Sequence, residues 1–225
     1  MNGRNSICVI ITTFNSEKFI SSAIESVLSQ DIAVAELVVV DNGSNDSTRV
    51  IVENLGIPFF IQTSGKVGES RNLGLQKTDS TFVKFLDADD LLKPNALSSL
   101  RGSLASNQSL FVYGQNLNFV DSKYPPQGNS NFAHTDVPIF SPTPLNALVH
   151  RDVFSLFGLP EGDNFSWVRW FTNAKSKGLQ VLKVDEVVGL RRIHSENISH
   201  NTNSKSELFK MIRDQISNGN NKNEA

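Results

Sequence analysis

Three carboxylates fall within four positions of "FVKFLDADDLLKP" (82–94): Asp87, Asp89 and Asp90. They follow directly on an apolar run, Val83 to Leu86, broken only by Lys84. Like charges packed this closely repel, and holding them near a low-dielectric interior is costly. A divalent cation inverts that logic. Mg2+ or Mn2+ takes one or two carboxylates and fills its shell with substrate phosphates. The alternative is that Asp89 and Asp90 cap the following helix and are solvated. A second polar cluster closes "ELVVVDNGSNDST", where Asp41 ends an apolar run and Asn42-Gly43-Ser44 forms a turn. A carboxylate there can accept bonds from a base or ribose, or can close an Asx-turn. Asn45 and Asp46 read as caps of the next helix.

Other chemistries lack their residues. No G-x-G-x-x-G follows the first strand, so dinucleotide binding is unsupported. There is no G-x-x-x-x-G-K-[ST], and no Cys or His pair has zinc spacing. The one cysteine, Cys8, sits in an apolar run and reads as a small buried hydrophobe, which fits a reducing cytoplasm.

The elements that must position the clusters alternate. Residues 6–12 and 35–41 are β-branched runs suited to fully buried strands, and 57–62 and 81–87 give two more. Between them lie helices at 16–30 (apolar at Phe19, Ile20, Ala23, Ile24, Val27 and Leu28, with Ser16 as cap), 45–56 (ending at Gly56) and 69–78. A helix at 94–106 opens with Pro94. This βαβαβαβ order implies an α/β fold with a doubly wound, mostly parallel sheet. Ligands in such sheets sit beyond the carboxyl ends of the strands, which is where Thr12–Asn15, Asp41–Ser44 and Asp87–Asp90 fall.

The second half is less regular. A strand is expected at 109–120, a Pro-, Asn- and Ser-rich loop at 122–144, and a strand then a short helix at 146–158. A helix at 164–178 ends at Gly178, and two strands follow at 179–185 and 186–192. Residues 204–216 can form an amphipathic helix whose charges nearly cancel, so packing on the domain is favoured over peripheral membrane contact. A disordered tail closes the chain.

With 225 residues, 39% apolar and 20% charged, the chain can bury a core without staples. A formal net charge of −2 gives no field to draw it to nucleic acid. No apolar segment reaches membrane-spanning length, and the N-terminal apolar stretch is too short for a secretion signal.

Six blocks, in order, resemble glycosyltransferase family 2, the inverting enzymes of the GT-A fold. They are "VIITTFNSEKFISSAIESVLSQ", "ELVVVDNGSNDST", "GESRNLGL", "FLDADDLLKPNAL", "GDNFSWVRWFTNAKSKG" and "RRIHSENIS". The resemblance covers roughly residues 6–200 and implies roles. Thr12, Phe14 and Asn15 would line the nucleoside pocket, Asp41 would bond the base, and Arg71 would help hold the nucleotide. Asp87 would lie near the ribose, Asp89 would bind Mn2+ or Mg2+, and His194 would sit at the diphosphate and complete the metal shell. Asp163 would be the general base. An unperturbed Asp is a weak base, so burial is expected to raise its pKa. Arg191, Arg192 and Lys66 could add positive charge near the donor or be solvated surface cations. Trp170 is expected in the core, whereas Trp167 is divided between core and acceptor wall.

Two residues depart from the family pattern. Gly162 stands where Glu is common before Asp163, leaving Glu161 as the fallback base, and Asn42 stands where Asp often follows Asp41. The resemblance divides the domain into a nucleotide-sugar-binding half (1–106) and an acceptor-binding, catalytic half (107–204) with a smaller mixed sheet region, followed by the C-terminal helix and tail (205–225). The implied activity is transfer of a sugar, with UDP the likeliest nucleotide, to a hydroxyl of an unidentified glycan, lipid-linked, peptide or small-molecule acceptor. An inactive nucleotide-sugar-binding protein of the same fold is the alternative. A sugar nucleotidyltransferase would carry a Gly- and Arg-rich loop where this chain has "TTFNSEKF".

Overall fold

A computed structural model describes residues 5–107, 109–125 and 135–195. The expected helix and tail at 205–225, and the end of the "RRIHSENIS" block after Ser195, lie outside the described residues. The described residues fall into two units, one made of those within 5–118 and 135–192, the other of 119–125 and 193–195.

The first unit is built on a parallel core. β1 (Ile7–Thr13) pairs in parallel with β2 (Glu36–Asp41) on one side and β4 (Phe82–Asp87) on the other, and β2 pairs in parallel with β3 (Phe59–Ile61). The register sets Thr13 beside Asp41 and Thr12 beside Asp87, so the polar ends of three strands meet at one edge. The crossovers are α1 (Ile20–Leu28), α2 (Thr48–Asn54) and α3 (Val67–Gln76). β8 (Ala147–His150) joins β4 antiparallel, and β6 (Phe111–Val120) joins β8 antiparallel. The full order is β3-β2-β1-β4-β8-β6-β9-β5, with β7 (Thr135–Phe140) on β6, β9 spanning Leu182–Ile193 and β5 Leu91–Leu92. α4 (Ala96–Asn107), α5 (Asp152–Phe157) and α6 (Ser166–Ser176) complete the elements.

Strand alternation sorts the core onto two faces. Ile7, Val9 and Ile11 of β1 pack with Ile20, Ile24 and Val27 of α1 and Leu97 and Leu100 of α4. Cys8 and Ile10 point the other way, to Phe85, Val153, Phe154, Trp167 and Trp170. Trp170 is core, as expected. Trp167 is core too, only 3% exposed, with its Nε1 donating to Pro142 O at 2.6 Å. Its ring presents almost no surface to solvent. Burying one large aromatic ring contributes up to about 3 kcal/mol, and the bonded indole N–H removes the polar penalty.

Several expectations need correction. The two strands at 179–185 and 186–192 are one strand, β9; Asp185 and Glu186 sit on its exposed half and break only the apolar pattern. The loop at 122–144 contains β7, whose Pro138 and exposed Val137 hide the strand signal. Ser16 does not cap α1 with its side chain: its hydroxyl donates to Phe14 O, and its carbonyl accepts from Phe19 and Ile20.

Candidate active site

The edge that the resemblance assigns to the donor is built from loops at the carboxyl ends of β1, β2 and β4, and the loops after β1 and β2 are stitched together. Asn15 takes a left-handed turn (φ 48°), which Asn tolerates better than most residues. Its Oδ1 accepts from Asn45 N at 2.9 Å, and its own N–H donates to Ser44 Oγ at 2.8 Å. Glu17 and Asp46 exchange the same kind of bond, with Ser47 N donating to Glu17 and Glu17 N donating to Asp46. Asp41 closes an Asx-turn. Its Oδ2 accepts from the backbone of Gly43 (3.2 Å) and Ser44 (2.9 Å), and Ser44 Oγ donates to its Oδ1. Phe14, 56% exposed, stands on the rim of this edge.

Asp87 meets two partners of the first unit. Thr12 Oγ1 donates to its Oδ1 at 3.0 Å, and Arg71 Nη2, from α3, does so at 2.9 Å. The arginine side chain is 4% exposed and the carboxylate 42%. Arg71 Nε and Nη1 are buried and have no hydrogen-bond partner among the described residues, as do Thr13 Oγ1 and Asn42 Oδ1. Unpaired buried polar atoms are expensive and rare, so a group of them beside the strand ends makes this edge a candidate ligand position. The free donors suit phosphate or carbonyl oxygens, and the free acceptors suit hydroxyls or a base N–H.

The acidic knot is offset in a way the sequence reading missed. Lys84, with 0% exposure, lies beneath it and donates to the carbonyls of Pro144 (2.9 Å), Ala147 (3.1 Å) and Leu145. Burial lowers its pKa to about 7, while Asp90 and Asp87 pull it back up. Asp90 is buried, and that burial, reinforced by Asp89 and Asp87, raises its pKa well above the carboxylate range. Its Oδ1 accepts the Arg192 N–H at 3.0 Å. Arg192 is no solvated surface cation. It is buried, donates Nε to Asp89 O and Nη2 to Ser22 Oγ, each at 3.0 Å, and covers the Phe19 ring. The alternation that places Phe82 and Leu86 inside also places Lys84 there, and this was the available signal.

Among the described residues no group of three His, Cys, Asp or Glu side chains could hold a metal ion unaided. A Mg2+ or Mn2+ that shares a diphosphate needs only one or two protein carboxylates, and the half-buried Asp89 beside Asp87 fits that demand. His194 is buried and belongs to the second unit.

The acceptor side differs. Asp163 precedes α6, and its Oδ1 accepts from Phe165 N (2.9 Å) and from Arg169 Nη2 (2.6 Å). Its side chain is 60% exposed. The expected rise in pKa is therefore overturned. Burial is the largest single influence and raises it, but the Arg169 hydrogen bond and charge, the Phe165 N–H and Lys66 together outweigh it, so the carboxyl sits below its ordinary value. Gly162 also has a physical reason. Its φ is +99°, a conformation side chains resist, and a Cβ would stand 3.2 Å from Arg169 Nη2. Gly68, at the start of α3, donates its N–H to Gly162 O at 2.9 Å. A Cβ on Gly68 would lie 2.5 Å from Pro160 O and 2.9 Å from Gly162 N.

The family model for glycosyl transferase family 2 matches residues 8–157. The chain belongs to this family. A β-1,3-glucosyltransferase of Campylobacter jejuni acting on GalNAc(5)-diNAcBac-PP-undecaprenol is 38% identical over 101 residues, which is 42% of this chain and 33% of that protein. The chain thus spans about a third of that relative's length. Residues 1–349 of Staphylococcus aureus TarS, in complex with UDP, superpose with a TM-score of 0.67 at 22% identity, covering 84% of this chain and 60% of that fragment. Glucosyl-3-phosphoglycerate synthase of Mycobacterium tuberculosis, with Mn2+ and UDP, gives 0.61 at 18% identity, covering 84% and 73%. The fold is GT-A.

Proposed function

We propose that this chain moves a sugar from a UDP-sugar to an acceptor hydroxyl, with inversion and with the help of a divalent cation. The observation that carries the reading is the Thr12–Asp87–Arg71 cluster, with two buried, unpartnered guanidine N–H groups at the carboxyl ends of the parallel strands. UDP in the TarS complex, and UDP with Mn2+ in the glucosyl-3-phosphoglycerate synthase, support the donor and the cation.

The roles are those the family resemblance implies, and the chemistry of each residue supports them. Thr12, Phe14, Asn15 and Asp41 frame the nucleoside, and the preformed Asx-turn holds their loops in place. Arg71 fixes Asp87 toward the ribose and has donors left for the nucleotide. Asp89 would hold Mg2+ or Mn2+. When bound, the cation stabilises charge on the departing diphosphate oxygens. Asp163 takes the acceptor hydroxyl's proton as that oxygen forms its bond to the anomeric carbon. The bond to the diphosphate oxygen breaks with its electron pair, so UDP leaves from the opposite face. With Cys8 buried and reduced, the reading suits a cytoplasmic protein. No helix among the described residues is long and apolar enough to cross a membrane.

A second reading is a nucleotide-sugar-binding protein without turnover. The exposed, ion-paired state of Asp163 favours it. One experiment tests the first. UDP with Mn2+ should raise the melting temperature of the chain, and Asp89→Ala should remove the Mn2+-dependent part of that shift and abolish UDP release from UDP-sugars. Equal shifts with and without Mn2+, and activity retained in EDTA, would sink the cation's role.

A further inference from the structure

A cleft of about 460 Å³ runs along one face of α6 and is closed by the segment after α5. Arg169, Asn173 and Lys177 line it at intervals of four residues, one above the other, a rise of about 6 Å per step. Phe157 and Leu159 supply apolar walls, and Glu161 is its single carboxylate. Two long cationic side chains one step either side of Asn173 can converge on an anion seated there. Ser166 also lines the cleft, and its Oγ is buried with no hydrogen-bond partner among the described residues. Arg169 is the link to the chemistry, since the guanidinium that walls the cleft also holds Asp163 at 2.6 Å.

We propose that this cleft receives a phosphate group carried by the acceptor, and that the phosphate draws Arg169 away from Asp163 as the acceptor binds. This rests on the reading of Asp163 as the base. A phosphate group, anionic across the range in which Asp163 titrates and offering three acceptor oxygens, competes for the planar guanidinium better than a single carboxylate does, and Lys177 adds a second cation on the cleft side. Asp163 alone, held by Arg169, is a poor base, and a carboxylate released from its cation is a better one. The proton acceptor is thus switched on by the substrate it serves, which limits loss of donor to water. The groups facing Asp163 are Arg169 from α6, Lys66 at the start of α3, and the Phe165 N–H. Of these, Arg169 alone lines the cleft.

The test uses the full chain saturated with UDP and Mg2+, so that the donor side is filled. Carbon-13 NMR of the aspartate carboxyls follows the titration of Asp163, assigned by its loss in Asp163→Asn, while glycerol 1-phosphate or glycerol is added. Glycerol 1-phosphate should raise the Asp163 midpoint by about half a unit or more, and glycerol should not move it. Arg169→Gln should raise the midpoint with no phosphate present and abolish the phosphate-dependent step. Lys177→Ala should weaken phosphate binding several-fold and leave the free-protein midpoint in place. A midpoint indifferent to glycerol 1-phosphate, or a phosphate response that survives Arg169→Gln, overturns the proposal. Failure of the base assignment looks different: the NMR response stands, and Asp163→Asn retains sugar transfer.

Discussion

The strand-end edge proposed for the donor and the Asp163 region proposed for the acceptor are held by different kinds of bond. On the donor side, backbone N–H groups of one loop are taken by side chains of the other, and Asp41, Thr12 and Arg71 are buried. On the acceptor side, the base candidate lies in solvent, held by a side-chain ion pair in which Asp163 is 60% and Arg169 41% exposed. Exposed pairs of this kind contribute at most about 1 kcal/mol and exchange partners readily. One side is therefore preorganised for a ligand of fixed shape, and the other is free to rearrange around its ligand.

The sharpest way to break this contrast is Asp163→Asn. Turnover should fall by about three orders of magnitude or more while the UDP dissociation constant stays within twofold, measured by steady-state kinetics and calorimetry. An unchanged rate would move the base, with Glu161 next in line. Gly68→Ala should act less strongly and on one side only. The added methyl must push the 160–162 segment, so kcat should drop about tenfold to a hundredfold with the donor KM unchanged. A rise in donor KM instead would show that α3 itself had moved.

The smallest effect concerns Lys84 and sharpens the donor side. Its folded pKa, about 7, lies below the ordinary 10.5. Between those values the unfolded chain holds a proton that the folded chain has released, so stability rises with pH across that window. Relative to Lys84→Met, wild type should gain on the order of 1–2 kcal/mol in urea unfolding between about pH 7 and about pH 9. A difference flat with pH would mean that Lys84 stays fully charged inside.

Much of the first unit was legible because parallel strands buried on both faces read as near-continuous apolar runs, as β1 and β2 do, and as β4 does but for Lys84. β5 has two residues and β7 carries a proline, so neither leaves a periodic trace. The family resemblance singled out Thr12, Asp41, Arg71 and Asp87, and the structure brings Thr12, Arg71 and Asp87 into one hydrogen-bonded cluster. The state of Asp163 was not legible, because its partner comes from the next helix turn and its exposure depends on how the loop is tied down. Lys84, Asp90 and Arg192 were missed for a related reason: charged residues are expected in water, and only three-dimensional contacts supply the carbonyls, N–H groups and ring that admit them.

The seam between Gly68 and Gly162 sets a rule for anyone re-engineering this scaffold. The loop bearing Asp163 cannot be grafted from a homologue as a cassette, because its backbone lies against a helix start that tolerates no side chain there. A chimaera that carries the opening turn of α3 along with its loop keeps that fit. One that leaves the turn behind sets two foreign backbones against each other.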